Sequence, residues 1–301
     1  MSATLVTPPG RQGPGHVAPR LVEALDLAVA RRAAGLLPGD RPAAGAGAGT
    51  ELAQIRPYQV GDDVRQLDAA AFARTGEPHV RLQVPERVLT TWLVVDQSPS
   101  MAFGSADRLK SDIAEGVTEV LGRLAVRRGG RIGLVACGAP GARALPPRGG
   151  RGAAIAVSRA VQGGVAPDGH TDPRALAEAL SRVGKTARQS GLVVVVSDFR
   201  DAHAIKRPLH ALAMRHSVVA IEVTDPRERE LPEVGHLHLI DPETGRRVEV
   251  DTSRRALRER FAAAEAERRT ALIREVRSAG ARHLELSTAG DWLRQLGRSF
   301  R

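Results

Sequence analysis

Trp92-Leu93-Val94-Val95-Asp96-Gln97-Ser98-Pro99-Ser100-Met101 is the stretch on which the fold turns. A run of bulky apolar residues ends on a carboxylate, and two hydroxyls follow at spacings of two. Aromatic and β-branched residues in such a run predict a strand buried on both faces. The polar cluster then falls just past the carboxyl end of that strand, where ligands bind in open α/β sheets. One carboxylate and two hydroxyls are hard oxygen donors and suit a hard cation such as Mg²⁺. Alone, Asp-x-Ser-x-Ser is a weak signal, because Ser and Asp are common turn formers and helix caps.

Two later stretches strengthen it. Gly191-Leu192-Val193-Val194-Val195-Val196-Ser197-Asp198-Phe199 is a second buried-strand run ending on an aspartate. Between the two lies Gly169-His170-Thr171-Asp172-Pro173, a polar loop opening into the helical pattern Arg174 to Leu180. The three loops meet only if the strands are parallel neighbours in one doubly wound sheet. The expected class is therefore α/β with a mostly parallel sheet. Together the loops resemble the metal-ion-dependent adhesion site of von Willebrand factor A domains, over roughly residues 89–223. The resemblance implies Asp96, Ser98 and Ser100 as metal ligands from the first loop, Thr171 from the second and Asp198 from the third. The implied cation is Mg²⁺, with Mn²⁺ or Ca²⁺ as alternatives.

Composition bounds the rest. With 301 residues, 42% of them apolar, the chain can build a sizeable core. Aromatics supply only 3%, so that core is mostly Leu, Val, Ile and Ala. Nearly all the positive charge behind the net +10 is arginine, and such a balance permits binding to nucleic acid, anionic lipid or an acidic protein without selecting among them. The aromatic interleaving that stacks single-stranded bases is absent, which argues against nucleic acid. The single cysteine, Cys137, excludes an intramolecular disulfide and fits a reducing compartment. It sits in the apolar run Ile132 to Ala136 and reads as a small buried hydrophobe. No stretch approaches the roughly 20 apolar residues of a membrane span, and the N-terminus lacks a signal-peptide pattern. The expected location is the cytoplasm. No Gly-Lys-Ser/Thr follows the glycines of Pro42 to Gly49, so there is no Walker A loop.

Before the sheet, residues 1–18 are Pro- and Gly-rich and predict a disordered tail. Apolar residues from Pro19 to Leu37 recur at helical spacing. A second informative stretch follows: Arg56-Pro57-Tyr58-Gln59-Val60-Gly61-Asp62-Asp63-Val64-Arg65-Gln66-Leu67-Asp68, then Ala73-Arg74 and Glu86-Arg87. With Asp-x-Ser-x-Ser-Met downstream, this pattern resembles the family called domain of unknown function fifty-eight, from about residue 47 to the C-terminus. In that family a von Willebrand-like domain follows a compact module carrying the Gly-Asp-Asp signature. One departure is Ala69, where the family usually has tryptophan. The expected division is a tail over 1–18, an N-terminal helix and Gly-Asp-Asp module over 19–88, and a von Willebrand factor A-like domain over 89–301. Asp62, Asp63, Arg65 and Arg74 read as a structural charge network docking the module.

After Met101 the sequence predicts a helix from Asp107 towards Arg128, a strand from Arg131 to Ala136 and a short edge strand at Ala144-Leu145. His236 to Asp241 and Arg246 to Val250 flank Pro242-Glu243-Thr244-Gly245 and read as a β-hairpin. His236 and His238 share one face, but two ligands do not make a zinc site. A long charged helix over 253–279, a late strand at His283 to Leu286 and a terminal helix from Asp291 complete the chain.

Mg²⁺ keeps several exchangeable positions when few protein ligands hold it. A carboxylate from another protein can enter one of them, which makes recognition possible without bond cleavage. The family resemblance implies a partner, because such proteins are often encoded beside MoxR-type AAA+ ATPases. The expected function is therefore a metal-dependent adaptor working with such an ATPase on client proteins. The rival reading is a hydrolase, with Ser98 or Ser100 as nucleophile, His170 as base and Asp198 as orienter, or metal-assisted phosphoryl hydrolysis. Against the serine version, Gly-x-Ser-x-Gly is missing and Pro99 stands where an oxyanion-hole N–H is wanted. No catalytic lysine accompanies the loop for the phosphoryl version. The expectation is no enzyme.

Overall fold

The computed structural model describes residues 12–18, 20–22, 25, 51–84, 89–127, 129–140, 143–170, 172–200 and 204–299. The apolar run at its centre is strand β3, Thr90–Asp96. β-branched side chains pack well on a pleated surface, and period-two alternation sends them to opposite faces. Leu93 and Val95 enter one core, and Trp92 and Val94 the other.

The chain forms two compact units. The smaller spans Pro38–Val88. In it, β1 (Glu51–Pro57) pairs antiparallel with β2 (His79–Val84), with an irregularity between Leu52 and Gln54. Between them Asp63 caps a 3-10 turn at Val64–Gln66, and Asp68 caps α1 (Ala69–Thr75) by accepting from the Ala71 N–H at 2.8 Å. Gly76, with φ +75°, ends that helix in the left-handed conformation glycine tolerates best. Arg56 grips Asp62 with two hydrogen bonds of 2.8 and 2.7 Å. Arg81 Nε reaches Asp68 at 2.6 Å, and that hydrogen bond holds the Asp68 carboxyl down to about 2. These polar contacts of Asp62, Asp63 and Asp68 are thus made inside the module.

The larger unit carries a six-stranded sheet in the order β10-β7-β6-β3-β4-β5. Its strands are β4 (Arg131–Cys137), β5 (Ala144–Gly149), β6 (Leu192–Ser197), β7 (Ser217–Thr224) and β10 (Arg282–Ser287) around β3. All pairings are parallel except β4 with β5. The edge strand expected at Ala144-Leu145 extends to Gly149. Counted along the chain, the sheet order is 3-2-1-4-5-6, whose direction of winding reverses between β3 and β6.

Helices cover both faces, as parallel sheets require. One core unites Leu93, Val95, Leu134, Val194 and Ile221 with Ile113, Val117 and Leu121 of α2 (Lys110–Arg127), Val157 of α3 (Arg151–Val161) and Trp292 of α7 (Trp292–Ser299). The opposite core unites Trp92, Val94, Val193 and Val195 with Leu176 and Leu180 of α4 (Ala175–Thr186), Leu209 of α5 (Lys206–Ala213) and Val276 of α6 (Arg255–Ser278). Each such side chain contributes about 1.5–3 kcal/mol by leaving water. A separate hairpin, β8 (His236–Ile240) with β9 (Arg247–Asp251), forms its own two-stranded sheet. His236 lies on its exposed face, within 3.3 Å of Glu249. Cys137 is buried, as its apolar run predicts.

Two boundaries differ from the sequence expectation. Residues 12–18 are no free tail, because the Pro14 carbonyl accepts from Trp292 Nε1 at 2.8 Å and from Arg108 at 3.0 Å. Of the helix expected over 19–37, Arg20–Val22 and Leu25 are described and helical. Val22 and Leu25 join the core of the sheet unit, so this helix belongs there and not with the module. An apolar stripe needs a large apolar surface, which the sheet's helical layer supplies. Residues 1–11, most of that helix and the Pro42 to Gly49 loop lie outside the described residues.

Candidate functional site

The loop after β3 closes on itself before it meets anything else. The Ser98 N–H donates to Asp96 Oδ1 at 2.9 Å, the local turn that short Asp side chains favour. Pro99 then opens a 3-10 turn through Ala102, in which the Ser98 carbonyl accepts from the Met101 N–H at 3.1 Å. Gln97 locks the loop to its neighbours. Its N–H donates to the Cys137 carbonyl, its carbonyl accepts from Ala166, and its amide reaches the Gly164 carbonyl at 2.7 Å. The Ser98 and Ser100 hydroxyls face each other at 3.1 Å.

Neighbouring strands finish the setting. Val95 lies opposite Val196 in the β3–β6 ladder, so the next residues, Asp96 and Ser197, come side by side. The Ser197 hydroxyl donates to Asp96 Oδ2 at 2.5 Å and accepts from the Phe199 N–H at 2.9 Å. From β4, Gly138 with φ +77° turns the chain away directly beside Asp96. A Cβ there would stand 2.6 Å from Asp96 Oδ1 and 2.7 Å from the Ser98 nitrogen. The site thus sits at the reversal point of the sheet.

Asp198 is present, but its carboxylate is committed. Lys110, at the start of α2 and wholly buried, places Nζ 2.5 Å from Asp198 Oδ2 and 2.7 Å from Glu228 Oε1. Asp198 Oδ1 accepts from the Arg200 N–H at 3.1 Å. Burial pushes the Asp198 carboxyl up, and the Lys110 charge and hydrogen bond outweigh it, holding the group below the usual carboxylate range. Asp96 moves the other way. Burial, helped by the Asp198 charge, pushes it up to about 6 despite its hydrogen bonds.

A third carboxylate arrives from far along the chain. Glu243, in the turn between β8 and β9, is 7% exposed, and its Oε1 accepts from the Ser100 N–H at 3.1 Å. Burial pushes it up to about 7, with the charges of Asp96 and Asp198 adding to the shift. Asp96, Ser98, Gly138, Asp172, Ala175, Leu176 and Glu243 enclose a cavity of about 20 Å³. That space suits one water or one ion.

Of the five ligands implied by resemblance, the structure therefore gathers Asp96, Ser98 and Ser100 at one point, and places Asp198 close by but paired with Lys110. Thr171 lies outside the described residues. Asp172, read only as part of the polar loop before α4, lines the cavity. Lys110, Ser197, Gly138 and Glu243 were not singled out. Ser197 directly precedes Asp198 and was within reach of the motif. A lysine inside an amphipathic helix and a glutamate inside a hairpin turn carry no local signal. Among the described residues, His170 hydrogen-bonds neither serine nor Asp198, so no Ser-His-Asp relay is formed.

The donor set bears on a cation. Among the described residues no three His, Cys, Asp or Glu side chains converge with metal-ligand spacing. What converges is hydroxyl plus carboxylate oxygen, the donor type of a hard cation. Lys110 cancels Asp198, whereas Asp96 has no ion pair among the described residues and Glu243 faces the same cavity. Asp96, Asp172 and Glu243 all line this one small cavity, an acidic, oxygen-rich lining of the kind a hard divalent ion takes, and the residues fit it.

Comparisons with known proteins identify the family of this chain. The family described as "Protein of unknown function DUF58" matches residues 54–271. An uncharacterized protein of Mycobacterium tuberculosis is 40% identical over 287 residues, covering 93% of this chain and 89% of that protein. Among solved structures, the conserved hypothetical protein BatB of Bacteroides thetaiotaomicron aligns at a TM-score of 0.44 and 13% identity, over 70% of this chain and 96% of its own. The SpRpn10 VWA domain aligns at 0.38 and 11%, over 69% of this chain and 93% of its own. The sheet unit is a doubly wound, mostly parallel α/β sheet, and the chain belongs to the DUF58 family.

Proposed function

We propose that the sheet unit is a protein-binding domain whose Asp96, Ser98 and Ser100 hold a divalent cation, most readily Mg²⁺, and that it serves as an adaptor rather than an enzyme. The observation that carries this reading is the Asp96 loop. Its carboxylate is fixed by Ser98 and Ser197, lies beside two hydroxyls at the reversal point of the sheet, and opens on a cavity of about 20 Å³. A space of that size suits a single ion. Asp198 and Thr171 belong to the same set by family resemblance, Asp198 acting on the site through its charge. A bound Mg²⁺ supplies positive charge and exchangeable positions for a partner's carboxylate.

The surface beside the site supports an acidic partner. Arg174, at the start of α4, begins a groove continued by Arg182, Lys185 and Arg207, with Glu178 as its acidic member. Positive charge so placed steers an acidic segment towards the cavity. A MoxR-type AAA+ ATPase, or a client presented to it, is the partner that the family resemblance suggests.

Calorimetric titration of the full chain with Mg²⁺ and Mn²⁺ tests the reading, with Asp96→Ala as comparison and circular dichroism as the control for folding. Binding by the wild type that is lost in the folded variant is the expected result. Equal binding by both proteins would remove the metal from Asp96. Capture of a MoxR-type ATPase in Mg²⁺ but not in EDTA extends the same test to the partner.

A further inference from the structure

We infer that the groove between α4 and α5 is a binding site in its own right, for a short, extended, acidic segment of a partner protein. The inference rests on the protein-binding reading of the sheet unit and not on its metal.

The groove follows from how the two helices bury their apolar stripes. Leu176, Leu180 and Val183 of α4 share one core with Leu209 and Leu212 of α5, and helical periodicity sends the residues between them outward. Outside that core the lining is short, with Ala177 and Ser181 from one wall and Ala204 and Pro208 from the other. The space left is about 530 Å³. From Arg174 to Lys185 the helix rises roughly 16 Å, the reach of about five residues of extended chain.

Its charge is unanswered. Arg174, Arg182, Lys185 and Arg207 line the groove and are exposed. Among the described residues, none of these four side chains makes an ion pair or a hydrogen bond. On α6, by contrast, Arg255, Arg258, Arg268 and Arg269 each meet a glutamate. A guanidinium fork matches a carboxylate in shape and charge, so the groove suits acidic side chains.

Glu178 selects among polyanions. It lies between Arg174 and Arg182 at spacings of four, on the same face of α4. A nucleic-acid backbone carries a charge at every nucleotide and would set one against it. No aromatic side chain lines the groove to stack a base. A lipid surface is flat, whereas this lining is recessed between two helices. An extended peptide meets the pattern, with acidic side chains at its two ends for Arg174 and Arg182. Its uncharged middle passes Glu178 and can donate a backbone N–H to it.

Fluorescence anisotropy of a labelled Glu-Glu-Ala-Ala-Glu-Glu peptide, titrated with the full chain in EDTA, tests the site. The wild type should bind this peptide and not the version with Gln for every Glu. Arg182→Ala/Arg207→Ala removes one cation from each wall and should weaken binding about tenfold, the effect of two partly exposed charge pairs. Arg182→Gln/Arg207→Gln serves if circular dichroism shows the alanine pair misfolded. Arg151→Ala/Arg159→Ala removes the same charge from exposed positions of α3, on the opposite face of the sheet, and should bind like the wild type. Absence of binding by the wild type, or equal weakening in the α3 pair, would overturn the groove. Binding that needs Mg²⁺ and is lost in Asp96→Ala would assign the peptide to the metal cavity, overturning the groove with the metal reading intact. Binding that survives Asp96→Ala and falls in the groove pair supports the groove, whatever becomes of the metal. A thymidine oligonucleotide or phosphatidylserine vesicles binding more tightly than the peptide, through the same two arginines, would overturn the peptide as occupant.

Discussion

Lys110, a side chain with no exposed surface, holds its ammonium 2.5 Å from Asp198 Oδ2. The same nitrogen is 2.7 Å from Glu228 Oε1, and Arg200 Nε contacts that glutamate oxygen at 2.9 Å. A cation supplied by the chain therefore neutralises one acidic residue of the loop cluster.

Removing that cation should be costly. Lys110→Met leaves Asp198 buried without its partner, and breaking such a pair costs about 3–5 kcal/mol. Glu228 keeps Arg200, so most of the loss is expected at Asp198. Urea denaturation should show the drop in Lys110→Met and substantial recovery in Lys110→Met/Asp198→Asn. A single variant as stable as wild type would mean that the pair contributes nothing.

Gly138 sets the geometry around Asp96. With φ at +77°, any Cβ adds strain of about 1–2 kcal/mol. It would also strike the Asp96 carboxylate and the Ser98 nitrogen. Gly138→Ala should therefore weaken Mg²⁺ binding at least tenfold, by displacing a ligand loop. Gly129, at φ +71° with nothing within 4 Å, is the control, and Gly129→Ala should lose some stability but keep its Mg²⁺ affinity. Calorimetry on both variants decides whether the clash matters.

Gly116 lets the N-terminal segment pack on the sheet unit. An added Cβ would meet Trp292 Cη2 at 2.6 Å and Pro14 Cβ at 2.9 Å. Overpacking of this kind costs about 1–3 kcal/mol. Gly116→Ala should lower the melting temperature and speed proteolysis within residues 12–18. Unchanged cleavage would show that those residues do not depend on this contact.

Asp225 predicts the acid limb of stability. Burial pushes its carboxyl up, but hydrogen bonds from Ser105, Thr288 and Arg227 outweigh burial and lower it below its ordinary value. A depressed native value means that its contribution is complete above the unfolded value of 3.8 and is lost as pH falls through the native one. Asp225→Asn should cost about 1–3 kcal/mol at pH 7 and flatten the loss of stability below pH 4. Urea midpoints at pH 7 and pH 3 read both effects.

Much of this molecule is legible from local pattern. Runs of β-branched residues at Leu93 to Val95 and Val193 to Val196 are strands because their side chains fit a pleat buried on both faces. Asp96, Ser98 and Asp198 follow at strand ends, where the chain must turn and backbone groups need partners. The helix over 19–37 was placed in the wrong unit because periodicity shows an apolar stripe without naming the surface that covers it. Residues 12–18 were misread as tail for a related reason, since the Pro14 carbonyl finds its donors more than 90 residues away.

The sequence by itself determined the α/β class, the strand-end position of Asp96, Ser98, Ser100 and Asp198, and the hairpin flanking Glu243. These follow from side-chain period, β-branching and turn chemistry, all of which act within a few residues. Only the tertiary structure decided the charge state of the site. It brought Lys110 to Asp198 from 88 residues away, and Glu243 to Ser100 from 143 residues away. Burial and Coulomb interactions depend on distance through space, and that distance exists only once the sheet has closed.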